Sequence, residues 1–160
     1  MAQNLLEKDI AISCEEQGIW NRRFRDMTMY AGSSSPFDYL LITKHTTIGI
    51  EAKLLRARKS GNPKSFPFSR VSDVQREGMQ EFSEMTGYEA YVFVNFRWTN
   101  NKKGELYALP YNQFTYLENL PKAHKSGIGI NNKSITLSYF RENLMSLERK
   151  DRGWDLSKIL

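Results

Sequence analysis

The chain has 160 residues, 40% hydrophobic and 26% charged, a balance that fits one globular domain with a sizeable core. Lys and Arg number 23 against 18 Asp and Glu, and the formal charge of +5 favours a polyanionic partner. The lone cysteine, Cys14, excludes an internal disulfide and a cysteine-based zinc site; no apolar run approaches the roughly 20 residues that span a bilayer and no secretory signal pattern opens the chain, so the reducing cytoplasm is the expected compartment.

From the N-terminus, "NLLEKDIAISCEEQG" predicts a helix that Gly18 ends, and the alternation and aromatics of "IWNRRFRDM" predict a strand. "AGSSSP" breaks the chain. Two strands follow, "FDYLLITK" and "TTIGIEAKL", joined by a polar turn near Lys44 and His45. In the second strand Ile48, Ile50, Ala52 and Leu54 share one face, and Thr47, Gly49, Glu51 and Lys53 share the other. "LRARKSGNPKSFPFSR" reads as a basic loop with an anchored aromatic end, Phe66 to Phe68. Ser72 and Gln75 have capping-box spacing and open a helix whose apolar face begins with Val74, Met79 and Phe82. "YEAYVFVNFRW" is the strongest strand and is expected centrally in the sheet; "GELYALP" returns beside it after the turn "TNNKKG". The remainder is expected to hold a short helix from "YNQFTYLENL", a Gly-rich basic connection and a helix around "YFRENLMSLERK". The order helix, three strands, helix, two strands predicts an α/β domain, residues 1–160, built on one mixed sheet.

The charged residues of the hairpin raise a chemical question. Asp38 starts one strand, Glu51 lies on the polar face of the next, and neighbouring strands are about 5 Å apart. Lys53 shares the face of Glu51. Two carboxylates and a cation in one small volume suit phosphodiester hydrolysis, in which Mg2+ held by hard oxygen ligands neutralises charge and activates water. In that reading Asp38, Glu51 and the backbone carbonyl of Ala52 hold the metal, and Lys53 orients the water or stabilises the phosphate. A solvated strand face carrying Glu and Lys explains the same letters.

The chain resembles the RecU-type Holliday-junction resolvases, including phage relatives, of the PD-(D/E)XK nuclease superfamily. The resemblance is carried by "LLEKDI", "RFRDM", "SSSPFDY", "GIEAK" and "SFPFSRVSDVQREGM" in that order, and by the strand pair "YVFVNFRWTNNKKGELYALP". It runs from about Leu5 to Pro110, roughly two thirds of the chain. It implies a restriction-endonuclease-like fold, a central mixed β-sheet flanked by helices. It also implies a magnesium-dependent endonuclease, with Mn2+ as a substitute metal, acting on four-way DNA junctions as a homodimer in a bacterial or phage-infected cell. The matching positions for catalytic groups are Glu7 on the first helix, Asp38, Glu51, Lys53, and Gln75 on the later helix. Cellular members carry a long stalk between the first two strands, whereas here only "TMYAGSSSP" separates them, and residues 111–160 match nothing in the family.

Between Glu51 and Asp73 the chain has no acid but carries Arg56, Arg58, Lys59, Lys64 and Arg70, which are expected to grip DNA phosphates beside the site. Lys122 and Lys125 belong to a second acid-free stretch and are assigned the same role. Arg22, Arg23 and Arg25 form a third basic cluster, split by strand alternation. His45 and His124 lack metal-ligand spacing and are expected on the surface, and Cys14 is expected to pack in the core. Two other readings remain: a restriction-like, flap or end-directed nuclease of the same superfamily, and a DNA-binding protein without turnover.

Overall fold

The computed structural model describes residues 4–24 and 37–160. The end of "RFRDM", the break "AGSSSP" and the whole of "TMYAGSSSP" lie outside the described residues.

Helix α1 (Leu5–Glu16) begins where Asn4 accepts a hydrogen bond from the Glu7 amide at 2.9 Å, and it stops before Gly18, whose φ of 65° suits a residue without Cβ. Strands β1 (Trp20–Arg23), β2 (Tyr39–Ile42) and β3 (Thr47–Arg56) follow, with Lys44 and His45 exposed in the β2–β3 turn. A short strand β4 (Ser65–Pro67) and a 3-10 turn (Phe68–Arg70) lead to helix α2 (Asp73–Thr86), which the capping box of Ser72 and Gln75 starts. Strands β5 (Ala90–Arg97) and β6 (Glu105–Pro110) form the next hairpin, and helices α3 (Tyr111–Asn119) and α4 (Lys122–Gly127), strand β7 (Ser134–Thr136), helix α5 (Leu137–Asn143) and strand β8 (Met145–Leu147) complete the order.

Six strands make a sheet in the order β1-β2-β3-β5-β6-β8, in which β3 and β5 are parallel and every other neighbouring pair is antiparallel. Strand β5 is central, as its aromatic and β-branched composition predicts. Its parallel pairing with β3 buries both faces of each strand, which is why the supposed polar face of β3 is not solvated. One sheet face packs Ile48, Ile50 and Ala52 against Leu6, Ile10 and Cys14 of α1 and against Trp154 and Leu156 near the C-terminus. The other packs Val92, Val94 and Phe96 against Met79, Phe114 and Phe140 of the remaining helices, together with Phe66 and Phe68 of the anchored aromatic segment. Phe37 fills the space beside Gly49, where a Cβ would come within 3.2 Å of its ring.

Three expectations change. The Gly-rich basic connection holds α4 and β7, and β7 pairs antiparallel with β4 in a second, two-stranded sheet, so the strands do not all belong to one sheet. Val74 is 44% exposed rather than part of the α2 core face. The "YFRENLMSLERK" helix ends at Asn143, and "MSL" instead becomes β8, pairing with the open edge of β6 through Leu106 and Leu147. An unpaired central-sheet edge offers backbone hydrogen bonds that local helix preference cannot match.

Candidate active site

The site is assembled where β2 begins, where β3 passes it, and where α2 starts. The register that sets Tyr39 opposite Ile50 brings Asp38 beside the Glu51–Ala52 peptide. The Asp38 amide donates to the Ile50 carbonyl at 2.9 Å, and its carboxylate Oδ2 accepts from the Ala52 amide at 2.7 Å. A side chain thus extends the ladder just before β2 begins. In a strand, the N–H and C=O of one residue point to the same edge. Farther along this edge the Leu54 carbonyl accepts from Arg70 Nη2 at 3.2 Å, so the Ala52 carbonyl lies on the edge that carries the Asp38 and Arg70 contacts.

Glu51 is 2% exposed and has been carried into the interior by the parallel pairing of β3 with β5. Its Oε1 accepts from Lys53 Nζ at 2.8 Å and from Gln75 Nε2 at 2.6 Å. Lys53 Nζ also donates to Gln75 Oε1 at 3.0 Å, closing a three-residue ring of contacts. Burying a carboxylate costs several kcal/mol, roughly, unless a cation and further donors compensate it, and here both are present. Gln75 performs two tasks at once, because the same Oε1 accepts from the Ser72 amide at 3.0 Å in the capping box. The helix cap therefore fixes the rotamer of the amide that holds Glu51. A solvated Glu–Lys strand face is not what this hairpin has built.

Glu7, 8% exposed in the first turn of α1, is engaged by Arg23 Nε at 2.8 Å and by Asn4 Nδ2 at 2.7 Å. The Tyr39 hydroxyl donates to the Glu7 carbonyl at 3.0 Å, which pins that turn against the same end of β2 that carries Asp38. Among the described residues no group of three or more His, Cys, Asp or Glu side chains gathers to hold a metal, so Glu7 does not close a three-carboxylate cage with Asp38 and Glu51. Two carboxylates and a carbonyl do fit Mg2+, which keeps waters and takes substrate oxygens for its other positions.

Beyond Lys53, β3 runs into a groove of about 640 Å³ lined by residues that include Arg56, Arg58, Lys64 and Arg70, with no acid among the lining residues. Lys59 is exposed at the tip of the turn that Arg58 and Gly61 close with paired backbone hydrogen bonds of 2.9 Å. Lys122 is exposed on α4, away from this groove lining. Lys125 requires a correction: it is 5% exposed, its Nζ donates to the Glu118 carbonyl at 2.5 Å and lies 5.2 Å from the centre of the Phe68 ring. It ties α4 to α3 and is not available to a phosphate. Arg23, expected as part of a basic cluster, is spent on Glu7; Arg22 is exposed and Arg25 lies outside the described residues. Cys14 is fully buried and burial pushes its thiol to about 12, so it is a packing residue and no nucleophile at neutral pH.

Sequence reasoning missed Tyr39 as the link between α1 and β2, and Arg70 as a donor to the edge of β3. Tyr39 did leave a signal, being a tyrosine at an inward position directly after Asp38. Arg70 left none beyond its charge.

No protein-family model matches the chain, and no curated protein matches it by sequence. Among solved structures it is similar to Hjc of Archaeoglobus fulgidus, a Holliday junction resolvase from an archaeal hyperthermophile, at 18% identity over 85% of this chain and 89% of that one, with a TM-score of 0.52. At that identity the likeness speaks for the fold, and the chain has the mixed, helix-flanked α/β sheet of that resolvase, as the resemblance read from its sequence implied.

Proposed function

We propose that the chain is a metal-dependent, structure-selective DNA endonuclease that cuts four-way junctions. What supports this reading is that Asp38 hydrogen-bonds the Ala52 amide next to Glu51, that Lys53 is held against Glu51, and that the strand carrying them runs on into a basic groove with no acid in its lining. The fold shared with a junction resolvase supports it. Asp38, Glu51 and the Ala52 carbonyl would hold Mg2+, which when bound supplies Lewis-acid stabilisation of phosphate charge and a water of lowered pKa. Lys53 presents an ammonium to the scissile phosphate or the attacking water, and Gln75 fixes both Lys53 and Glu51 in place. Glu7, oriented by Arg23, flanks the Asp38 end of the site as an auxiliary group. Arg56, Arg58, Lys59, Lys64 and Arg70 hold the backbone beside the cut, a sequence-independent contact. Two symmetric nicks are needed to resolve a junction, so the working form is a homodimer.

The experiment is a cleavage panel of four-way junction, flap, nicked and linear duplex DNA with Mg2+, run for wild type and Asp38→Asn. Asn keeps an acceptor for the Ala52 amide and so preserves the fold, but it removes the charge that binds the metal. Cleavage should be strongest on the junction and fall about 100-fold or more in the variant. Preference for linear duplex would replace the junction assignment by a restriction-like activity. A second reading, DNA binding without turnover, draws on the fact that the contacts of Lys53 and Gln75 also satisfy Glu51 as a buried structural group. Binding by a wild type that cuts no DNA would establish it.

A further inference from the structure

The hairpin between β5 and β6 has no part in the site described so far, yet it stands beside the basic groove. Because β3 and β5 are parallel and in register, with Arg56 opposite Arg97, the loops that follow the two strands leave the same end of the sheet. They are joined there: the Ala57 amide donates to the Arg97 carbonyl at 3.1 Å, and the Thr99 amide donates to Asn62 Oδ1 at 3.3 Å. No acid occurs between Glu89 and Glu105, and the hairpin tip carries Lys102 and Lys103, both exposed.

The tip is rigidly built. Asn95 is fully buried, and its Nδ2 donates to the carbonyls of Lys103 at 3.2 Å and Glu105 at 3.0 Å, while its Oδ1 accepts from Arg97 Nε at 2.5 Å. Asn101 Oδ1 accepts from the Gly104 amide at 3.0 Å, and the Trp98 amide donates to the Asn101 carbonyl at 3.1 Å. Gly104 has φ of 67°, and a Cβ there would lie 1.7 Å from the Phe96 carbonyl oxygen, so the turn admits no side chain at that position. Among the described residues, neither Lys102 nor Lys103 forms a salt bridge, whereas the arginines at the base of the hairpin are paired, Arg97 with Asp9 and Arg141 with Glu105. A network centred on the buried Asn95 amide thus presents two ammonium groups that form no salt bridge among the described residues, and a stiff support lowers the ordering cost of binding.

We propose that this hairpin is a second DNA-backbone contact, a basic prong that grips the duplex arm leaving the site alongside the 57–64 loop. The proposal rests on the nuclease reading for the direction of the DNA. Glu51 and Arg56 are five residues apart, which along a strand is about 17 Å. At a rise of about 3.4 Å per nucleotide, the prong meets phosphates roughly five base pairs or more from the cut.

The test is the salt dependence of binding to a long-armed four-way junction, measured in Ca2+ for the wild type, Lys102→Ala/Lys103→Ala and Lys102→Arg/Lys103→Arg, with single-turnover cleavage at saturating DNA in Mg2+. The alanine pair should lower the slope of log K against log salt by about 1 to 2, at about 0.9 per phosphate contact. The arginine pair should keep the slope, and cleavage at saturation should be unchanged in both. An alanine variant with the wild-type slope overturns the prong while leaving the nuclease reading intact. A lowered slope in a protein that never cuts sustains the prong and removes the nuclease. A wild type that binds no DNA overturns both.

Discussion

At the scale of single residues, the site depends on side chains that serve two structures at once. Gln75 is both the third residue of a helix cap and the amide between Lys53 and Glu51, and the two roles can be separated. Ser72→Ala removes the cap alone and is expected to lower stability by about 1 kcal/mol while leaving cleavage at saturation near wild type. Gln75→Ala should cost similar stability and also slow cleavage, because Lys53 and Glu51 lose their common partner. Urea unfolding and single-turnover rates on the same preparations check this; equal rates for both variants would reduce Gln75 to a cap. The Ser72–Gln75 spacing was legible in the sequence, but the reach to Glu51 was not, because a capping box already accounts for those letters. Asp38 was legible as an acid on an inward strand that needed a partner. Its use of the Ala52 amide was not, since nothing local marks where a ladder ends. Lys125 shows the limit of reading charge runs: only the turn of α4 directs its ammonium to the Glu118 carbonyl and the Phe68 ring.

At the scale of elements, the parallel β3–β5 pair does most to define the site. It buries Glu51, and it sends two basic loops to one end of the sheet. Opposite it, α1 is held from the far end of the chain. The Trp154 amide donates to Ser13 Oγ at 2.8 Å, Gln17 Nε2 donates to the Trp154 carbonyl at 2.7 Å, and Asp9 is bound by Arg97 and Arg149 at 2.8 and 2.9 Å. Gly153, with φ of 72°, lets this segment approach Ser13, where a Cβ would lie 2.4 Å from the hydroxyl. Residues 145–160, which resembled nothing, are therefore the clamp on the helix that carries Glu7. Trp154 is 1% exposed, and Trp154→Ala should destabilise the protein by about 3 to 5 kcal/mol, read from the urea midpoint. A loss below about 1 kcal/mol would mean that the clamp is incidental. Helix α1 was legible from its apolar spacing and its glycine stop. Strand β8 was not, since "MSL" carries no strand pattern and is claimed by the open edge of β6.

At the scale of the whole molecule, charge is sorted by position. The cations of the 57–64 and 98–104 loops cluster at one end of the sheet, while Asp73, Glu77, Glu81 and Glu84 are exposed along α2. Such a distribution orients an approaching polyanion toward the basic end, an effect that weakens as salt rises. The formal charge of +5 pointed to a polyanion from the sequence alone, but the sorting required the fold. The α/β class and the central place of β5 were legible because strand composition and element order agree with the sheet that forms. The account stands most directly on the proposal that the β2–β3 hairpin binds the metal ion. The decisive measurement is the anomalous scattering of a crystal grown with a four-way junction and Mn2+. A manganese peak flanked by the carboxylates of Asp38 and Glu51 is the predicted result. DNA seated over the groove with no peak between those carboxylates, or with the metal held elsewhere, would contradict it.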